Sequence, residues 1–358
     1  MDLIIKPTER CNFKCTFCSS TTIADGSNQV LDLGLVKQFL TRFPDTKTII
    51  VNGGDPLMVS PSYYLELCDY LDEHYPDVVV SLTTNLWKFV EKPSRWLPVF
   101  TRKNVQLITS FQYGEGRLMG DGSLFTEERF MEAWNKVSFY TGAKLDFISV
   151  MTYENHQYAY ENIELAKKLG VECKLNYAMA SGQTVVRNGV TMGNHDKTFV
   201  LADAYEYYVG IHERGLAQWE YNTRQMVAAL RREPTTCPIL RDCDSGIRTL
   251  QPTGDYYSCG SFGDDKAYPI DFNEEMSGEK QSPLDRFELL SLKMACFECP
   301  MFDLCNGCKK TISDLKRLKL VERHCKKMKS LAPRILACAG VEREVPSYQA
   351  ELIEVVEL

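Results

Sequence analysis

Along the first half of the chain, short apolar runs alternate with longer stretches whose apolar residues recur every three or four positions. Residues 3–6, 48–52, 78–83, 106–112, 145–152 and 171–177 read as strands, and the amphipathic stretches 63–74, 127–140 and 157–169 as helices between them. Strands alternating with helices of this length imply βαβ units and a parallel sheet. Six such strands suffice for a partial (β/α)6 barrel, short of the closed eight-stranded form. After residue 180 the pattern weakens into a polar loop, followed by a helical pair over 197–232. From Cys237 to Cys338 short segments, turn signals such as Pro252-Thr253-Gly254 and cysteines take over. The expected organisation is an α/β partial barrel over 1–180, a bridging helical region over 181–236, a small cysteine-rich α+β unit over 237–338, and an acidic, mixed tail over 339–358. No internal repeat or low-complexity segment interrupts it.

The chain has 358 residues, enough for about two domains, and its 44% hydrophobic and 25% charged residues exclude a disordered or fibrous class. A net charge of −7 disfavours nucleic acid as a main partner. No stretch approaches the roughly 20 apolar residues that cross a bilayer, and residues 1–10 lack the apolar core of a signal peptide. A soluble, cytosolic protein without a membrane partner is the expectation. Fourteen cysteines then stand out, because cytosolic thiols are kept reduced and a disulfide framework is not expected there. Thiols at that density point to metal, and eleven of the fourteen fall into two groups, Cys11–Cys18 and Cys237–Cys325.

The first group, Cys11-Asn12-Phe13-Lys14-Cys15-Thr16-Phe17-Cys18, is C-x3-C-x2-C directly after the first strand. Three thiolates so spaced can hold three irons of a [4Fe–4S] cube and leave the fourth open to a substrate or cofactor. A structural zinc site is the alternative, but it takes four closed ligands and no histidine follows nearby.

With this motif the sequence resembles the radical S-adenosylmethionine (SAM) superfamily, which carries it after the first strand of a partial (β/α)6 barrel. Asn52-Gly53-Gly54-Asp55-Pro56-Leu57, after the second strand, looks like that family's GGEP motif with Asp for Glu. The resemblance implies that the backbone of Gly53, Gly54 and Asp55 holds the SAM amino group, glycine permitting close approach to the ligand. Thr83-Thr84-Asn85 resembles the TNG motif, with Leu86 in place of its glycine. Ser110-Phe111-Gln112-Tyr113 stands where relatives have S-x-D-G. Ser110 is thereby implied as a ligand of the SAM carboxylate and Arg117 as a second, with a solvated loop arginine as the equal alternative for Arg117. In the sixth strand Val171, Cys173, Leu175 and Tyr177 share one face, and Glu172, Lys174 and Asn176 the other. The polar face is expected to line the cavity, which turns Cys173 outward, and Cys68 is expected in the core.

The second group reads Cys237-x5-Cys243, then Cys259, then Cys296-x2-Cys299-x5-Cys305-x2-Cys308, then Cys325. Eight thiolates make two fully ligated [4Fe–4S] clusters, although two zinc ribbons also use C-x2-C pairs. The pattern resembles the SPASM extension of radical SAM enzymes such as anaerobic sulfatase-maturating enzymes and ribosomal-peptide maturases. It departs in Cys305-x2-Cys308, where the family has three intervening residues. The resemblance implies one auxiliary cluster on Cys237, Cys243, Cys259 and Cys308 and another on Cys296, Cys299, Cys305 and Cys325, with Cys338 structural. The Lys- and Arg-rich segment 309–329 reads as a solvated helix face rather than a leader-peptide site.

The two resemblances together imply an oxidoreductase with three [4Fe–4S] clusters and S-adenosyl-L-methionine. Its radical takes a hydrogen atom from a peptide or protein side chain, and a flavodoxin- or ferredoxin-type protein supplies electrons. Gly260 follows Cys259 where sulfatase maturation needs an acid, which argues against that activity. The early first strand leaves no room for a preceding peptide-recognition domain, so a peptide is expected to come on a separate carrier or bind directly. A radical dehydrogenase or epimerase of sugars or aminocyclitols is the competing enzyme class. A zinc-stabilised binding scaffold is the competing non-enzyme class, and a plain electron carrier the third. The Gly53-Gly54 element argues against a carrier, and no proton acceptor is assigned.

Overall fold

The computed structural model describes residues 1–19, 28–179, 199–235, 246–279, 299, 301–305 and 308–342. Six strands with the helices between them come first. They run β1 (Asp2–Ile5), α1 (Leu33–Arg42), β2 (Thr48–Val51), α2 (Pro61–His74), β3 (Val79–Thr83), α3 (Trp87–Glu91), α4 (Pro93–Phe100), β4 (Val105–Ser110), α5 (Glu127–Thr141), β5 (Asp146–Met151), α6 (Ala159–Leu169) and β6 (Cys173–Tyr177). The helix starts follow local chemistry: Asp32 caps α1, Ser60 with Pro61 opens α2, and Thr126 caps α5 through the Arg129 N–H. Gly142 and Gly170 end α5 and α6 in the left-handed conformation. Helices α1, α3 and α4 add to those expected.

The strands form one eight-stranded sheet in the order β6-β5-β4-β3-β2-β1-β7-β8. The six sequential parallel strands are the wiring of a partial (β/α)6 barrel. Strand β7 (Ile247–Leu250) adds parallel to β1, with Leu3 opposite Arg248, and β8 (Tyr256–Tyr257) returns antiparallel through a turn at Gly254. Neither was expected. All four β7 side chains are buried and one is Arg248, so no alternating pattern marks it as a strand. Arg248 is tolerated inside because Glu275 takes its guanidinium at 2.6 Å.

Register sorts the two faces of the sheet. Ser110 lies opposite Ile148, and Ile148 opposite Lys174, which sets these three in a row on the inner face. Phe147 lies opposite Cys173 on the outer face, its ring 5.5 Å from Phe130 of α5. Cys173 is therefore outward and fully buried, as expected, while Lys174 and Asn176 are half-buried on the inner side. Cys68 is likewise fully buried, on α2.

The described C-terminal elements are α7 (Leu201–Glu213), α8 (Tyr221–Leu230), α9 (Gly260–Asp265), α10 (Phe272–Ser277), α11 (Phe302–Cys305), α12 (Lys309–Arg317) and α13 (Val321–Ala339). Helix α13 packs along α7 through Arg323 and Lys327 on Asp203 and through Arg334 on Glu213. The expectation of a solvated basic face over 309–329 holds for Lys316, Arg317, Lys319 and Lys326, which are exposed, and fails for Lys310, Arg323 and Lys327. Lys310 is 1% exposed and bonded to Asp265 at 2.9 Å and Asp314 at 2.5 Å. The acidic partners lie on other elements or one helical turn away, so a composition count reads the basic run as free. Among the described residues, no helix is long and apolar enough to cross a membrane.

Candidate functional site

Each loop at the C-terminal end of β1–β4 carries one of the motifs singled out in the sequence, and the fold brings them together. The Cys11–Cys18 loop follows β1 and is stitched to the loop after β4: the Lys14 N–H donates to Leu118 O and the Thr16 N–H to Gly116 O, both at 2.8 Å. Phe13 meets Phe125 edge-on at 5.0 Å beneath it. Cys15 is buried, and Cys11 and Cys18 are half-buried. Burial pushes the Cys11 thiol far above its ordinary value, with Asp55 and then the neighbouring Cys15 and Cys18 adding to it. Thiols held this way stay protonated until a metal supplies the positive charge that strips the proton. Among the described residues no three His, Cys, Asp or Glu side chains converge around one metal ion. A cubane makes a different demand, since each iron takes a single thiolate and the sulfurs need not share one centre.

The Gly53-Gly54-Asp55-Pro56 turn packs directly against this loop. A Cβ on Gly54 would lie 2.0 Å from Arg10 O, and one on Gly53, at φ +108, would lie 2.7 Å from Thr8 O. Glycine is thus required by the chain leading into Cys11, and close approach to a ligand is not the reason this structure gives. The Gly54 and Asp55 N–H groups donate to Thr8 O and Arg10 O. An ammonium group needs acceptors, so carbonyl oxygens of this turn are the atoms suited to it. Asp55 itself is 2% exposed and spent on the protein: it accepts from the Leu57 N–H, the Asn85 N–H and the Thr84 hydroxyl. Burial raises its carboxyl above the usual range against those hydrogen bonds. Pro56 opens the short turn that Asp55 caps.

Asn85 reaches the cysteine loop, its Nδ2 donating to Asn12 Oδ1 at 2.8 Å and lying 4.0 Å from Cys11 Sγ. The next residue, Leu86, has φ 64, in the left-handed region that favours glycine, the residue that stands here in the motif this segment resembles.

Arg117 is the charge at the centre. It is 5% exposed, and its Nη1 donates to Ser110 Oγ at 2.9 Å. Its Nε and Nη2 both donate to Gln112 Oε1, at 2.9 and 2.7 Å, and it stacks on Phe17. Burial lowers its affinity for the proton, and negative charge on the sulfurs of Cys15, Cys18 and Cys11 raises it. Gln112 stands where the resemblance leads one to expect Asp, and the exchange has a direct electrostatic meaning. An Asp would cancel the guanidinium charge, whereas Gln orients it and leaves it positive. A buried cation beside three thiols suits an anionic ligand.

The auxiliary cysteines are partly in view. Cys237, Cys243 and Cys296 lie outside the described residues. Burial and then the neighbouring Cys308 push the Cys259 thiol up, which sets together two residues assigned to one auxiliary site. Cys305 ends α11, Cys308 caps α12, and the Cys308 N–H donates to Cys305 O at 3.0 Å. Cys299 and Cys325 are half-buried, and Cys338 is buried on α13.

Three groups at the site escape sequence analysis. Lys6, at the end of β1, is buried and ion-paired with Asp264 of α9, whose other oxygen accepts from Ser19 at 2.8 Å. That contact joins the first cysteine loop to the segment after Cys259. Glu220 is fully buried at the head of α8 and accepts from Leu175 N–H on β6 at 2.8 Å. His324 lies against Cys305. A lysine directly after an apolar strand was a usable signal for the first, whereas nothing local marks the other two.

Several solved structures are similar to this chain over most of its length. They are radical SAM enzymes, and the chain has their fold. The anaerobic sulfatase-maturating enzyme anSMEcpe with AdoMet bound superposes with a TM-score of 0.67 at 16% identity, over 95% of this chain and 99% of that one. The same enzyme with AdoMet and the Cp18Cys peptide gives 0.63 at 15%, over 95% and 98%. SuiB of Streptococcus suis bound to its precursor peptide SuiA gives 0.53 at 14%, over 85% of this chain and 70% of SuiB. No protein-family model and no curated protein sequence matches the chain.

Proposed function

We propose that this chain is a radical SAM enzyme of the SPASM type that oxidises or crosslinks a peptide or protein side chain. The observation that carries it is the buried Arg117, which meets no carboxylate among the described residues and is bonded to Ser110 and set beside Cys11, Cys15 and Cys18. The three thiols suit a [4Fe–4S] cluster with one open iron, and Arg117 with Ser110 suits the carboxylate of AdoMet. When bound, the cluster and AdoMet supply a 5′-deoxyadenosyl radical that takes a hydrogen atom from a substrate carbon. The chain's own residues position these groups. Asn85 and Asn12 hold the Cys11 side of the loop, Asp55 ties the glycine turn to the Thr84–Asn85 loop, and Gln112 aims Arg117. The unit over 237–338 would hold two further clusters, on Cys237, Cys243, Cys259 and Cys308 and on Cys296, Cys299, Cys305 and Cys325. Fully ligated clusters have no open iron, which assigns them electron transfer. Peptide chemistry is supported by anSMEcpe and SuiB, each superposable on most of this chain and each known with a peptide bound.

Anaerobically reconstituted protein, given AdoMet, a reductant and source-cell extract, is expected to release 5′-deoxyadenosine. Prior protease treatment of the extract should abolish the stimulation. Stimulation that survives protease would move the substrate to small metabolites, and no 5′-deoxyadenosine from iron-loaded protein would overturn the proposal. The intact protein is expected to carry about twelve irons, and Cys308→Ala about eight. Loss of all twelve would indicate misfolding instead.

A further inference from the structure

His324 sits on the first turns of α13, is 4% exposed, and joins three segments. Its Nδ1 lies 3.3 Å from the Ala202 backbone nitrogen at the start of α7, and its Nε2 lies 3.6 Å from Cys305 Sγ at the end of α11. A backbone N–H can only donate, so Nδ1 is the acceptor of that bond and the ring proton resides on Nε2. The imidazole N–H is therefore aimed at the Cys305 sulfur. The ring has little freedom to turn away. Asp203, the neighbour of Ala202, is bonded to Arg323 at 3.1 Å and Lys327 at 2.6 Å, one residue before and three after His324. The same clamp that packs α13 on α7 thus holds the donor against the thiol.

We propose that His324 is a positioning residue that tunes the auxiliary cluster held through Cys305, by donating Nε2–H to the Cys305 thiolate and raising that cluster's reduction potential. The inference rests on the SPASM-type reading above and adds a residue and a direction to it. A hydrogen bond to a ligating sulfur stabilises negative charge, and the reduced cluster carries one more negative charge than the oxidised one. The bond is therefore stronger in the reduced state, and the potential moves upward. A cluster so tuned is the better acceptor for an electron leaving the substrate.

The test is a redox titration of the reconstituted full-length protein, followed by electron paramagnetic resonance, on three forms: the parent, His324→Leu and His324→Gln. Leucine fills the space without a donor, and glutamine returns an N–H near the position of Nε2. In His324→Leu the Cys305-linked cluster should show about a tenfold lower ratio of reduced to oxidised form at a fixed potential. That corresponds to about 59 mV for a one-electron couple. His324→Gln should recover most of the shift, while the radical-site cluster titrates as in the parent in both variants. Unchanged potentials in His324→Leu with full iron content would overturn the inference. So would loss of four irons in both variants, which would make the imidazole a ligand or a packing element. Parent protein from which Cys305→Ala removes no iron would instead refute the auxiliary-cluster reading itself.

Discussion

Gln112 and Arg117 show how one uncharged side chain can decide what a buried guanidinium binds. Because Gln112 accepts two of the Arg117 hydrogen bonds without cancelling its charge, Gln112→Glu should neutralise the pair and compete with an anionic ligand. Equilibrium binding should show AdoMet held about ten- to a hundredfold more weakly, the equivalent of one lost charge-assisted contact. Leu86 sets two residue-scale terms against each other. Its left-handed backbone costs about 1–2 kcal/mol, which glycine would relieve. Its fully buried side chain contributes more, about 2–5 kcal/mol on the scale of Leu→Ala changes. Leu86→Gly is therefore expected to lower stability in thermal unfolding despite fitting the backbone better. Cys68 is a third case, its thiol pushed up to about 11 by burial. Below that value its thiolate fraction falls tenfold per pH unit, so alkylation of the native protein at pH 8 should spare Cys68 while unfolded protein reacts.

At the scale of elements, a carboxylate closes the β6 edge of the sheet together with Tyr208 and Asn222, which donate to Leu175 O. Strand β6 ends the sheet, and Glu220 covers its edge by accepting from the Leu175 N–H while capping α8 through the Asn222 and Thr223 N–H groups. Glu220→Ala would strand three buried donors at about 1–3 kcal/mol each, whereas Glu220→Gln keeps an acceptor in place. The alanine variant should unfold at clearly lower denaturant than the glutamine variant, which should stay near the parent. This scale is also where the sequence was most and least informative. The six parallel strands were legible because each is an apolar run set off by an amphipathic helix. Strand β7 was not, since Ile247, Arg248, Thr249 and Leu250 are all buried and the charge of Arg248 is matched by Glu275, 27 positions on. The C-x3-C-x2-C spacing of Cys11, Cys15 and Cys18 was legible as a motif because the three residues lie on one loop after β1. The Lys6–Asp264 pair spans 258 positions, and no local pattern encodes it.

In the whole molecule that pair fastens the first strand to the segment that follows Cys259. Lys6 is buried and Asp264 half-buried, so removing one partner leaves an uncompensated charge, at most about 3–5 kcal/mol, and removing both does not. Lys6→Met should therefore destabilise strongly in chemical unfolding, and Lys6→Met combined with Asp264→Leu should recover most of the loss. A purely additive result would show that the two do not interact.

The pairing of β1 with β7 also sets a clock on synthesis. The outer edge of the first strand made finds its partner only after some 240 further residues have been added, from Ile5 to Ile247. At ~5–20 residues per second that takes roughly 10–50 s. Through that interval Lys6 lacks Asp264, and the neighbouring Cys11–Cys18 loop stays accessible from the side that α9 later covers. The nascent chain thus has a defined period in which this loop is open on that side before the C-terminal segment closes over it.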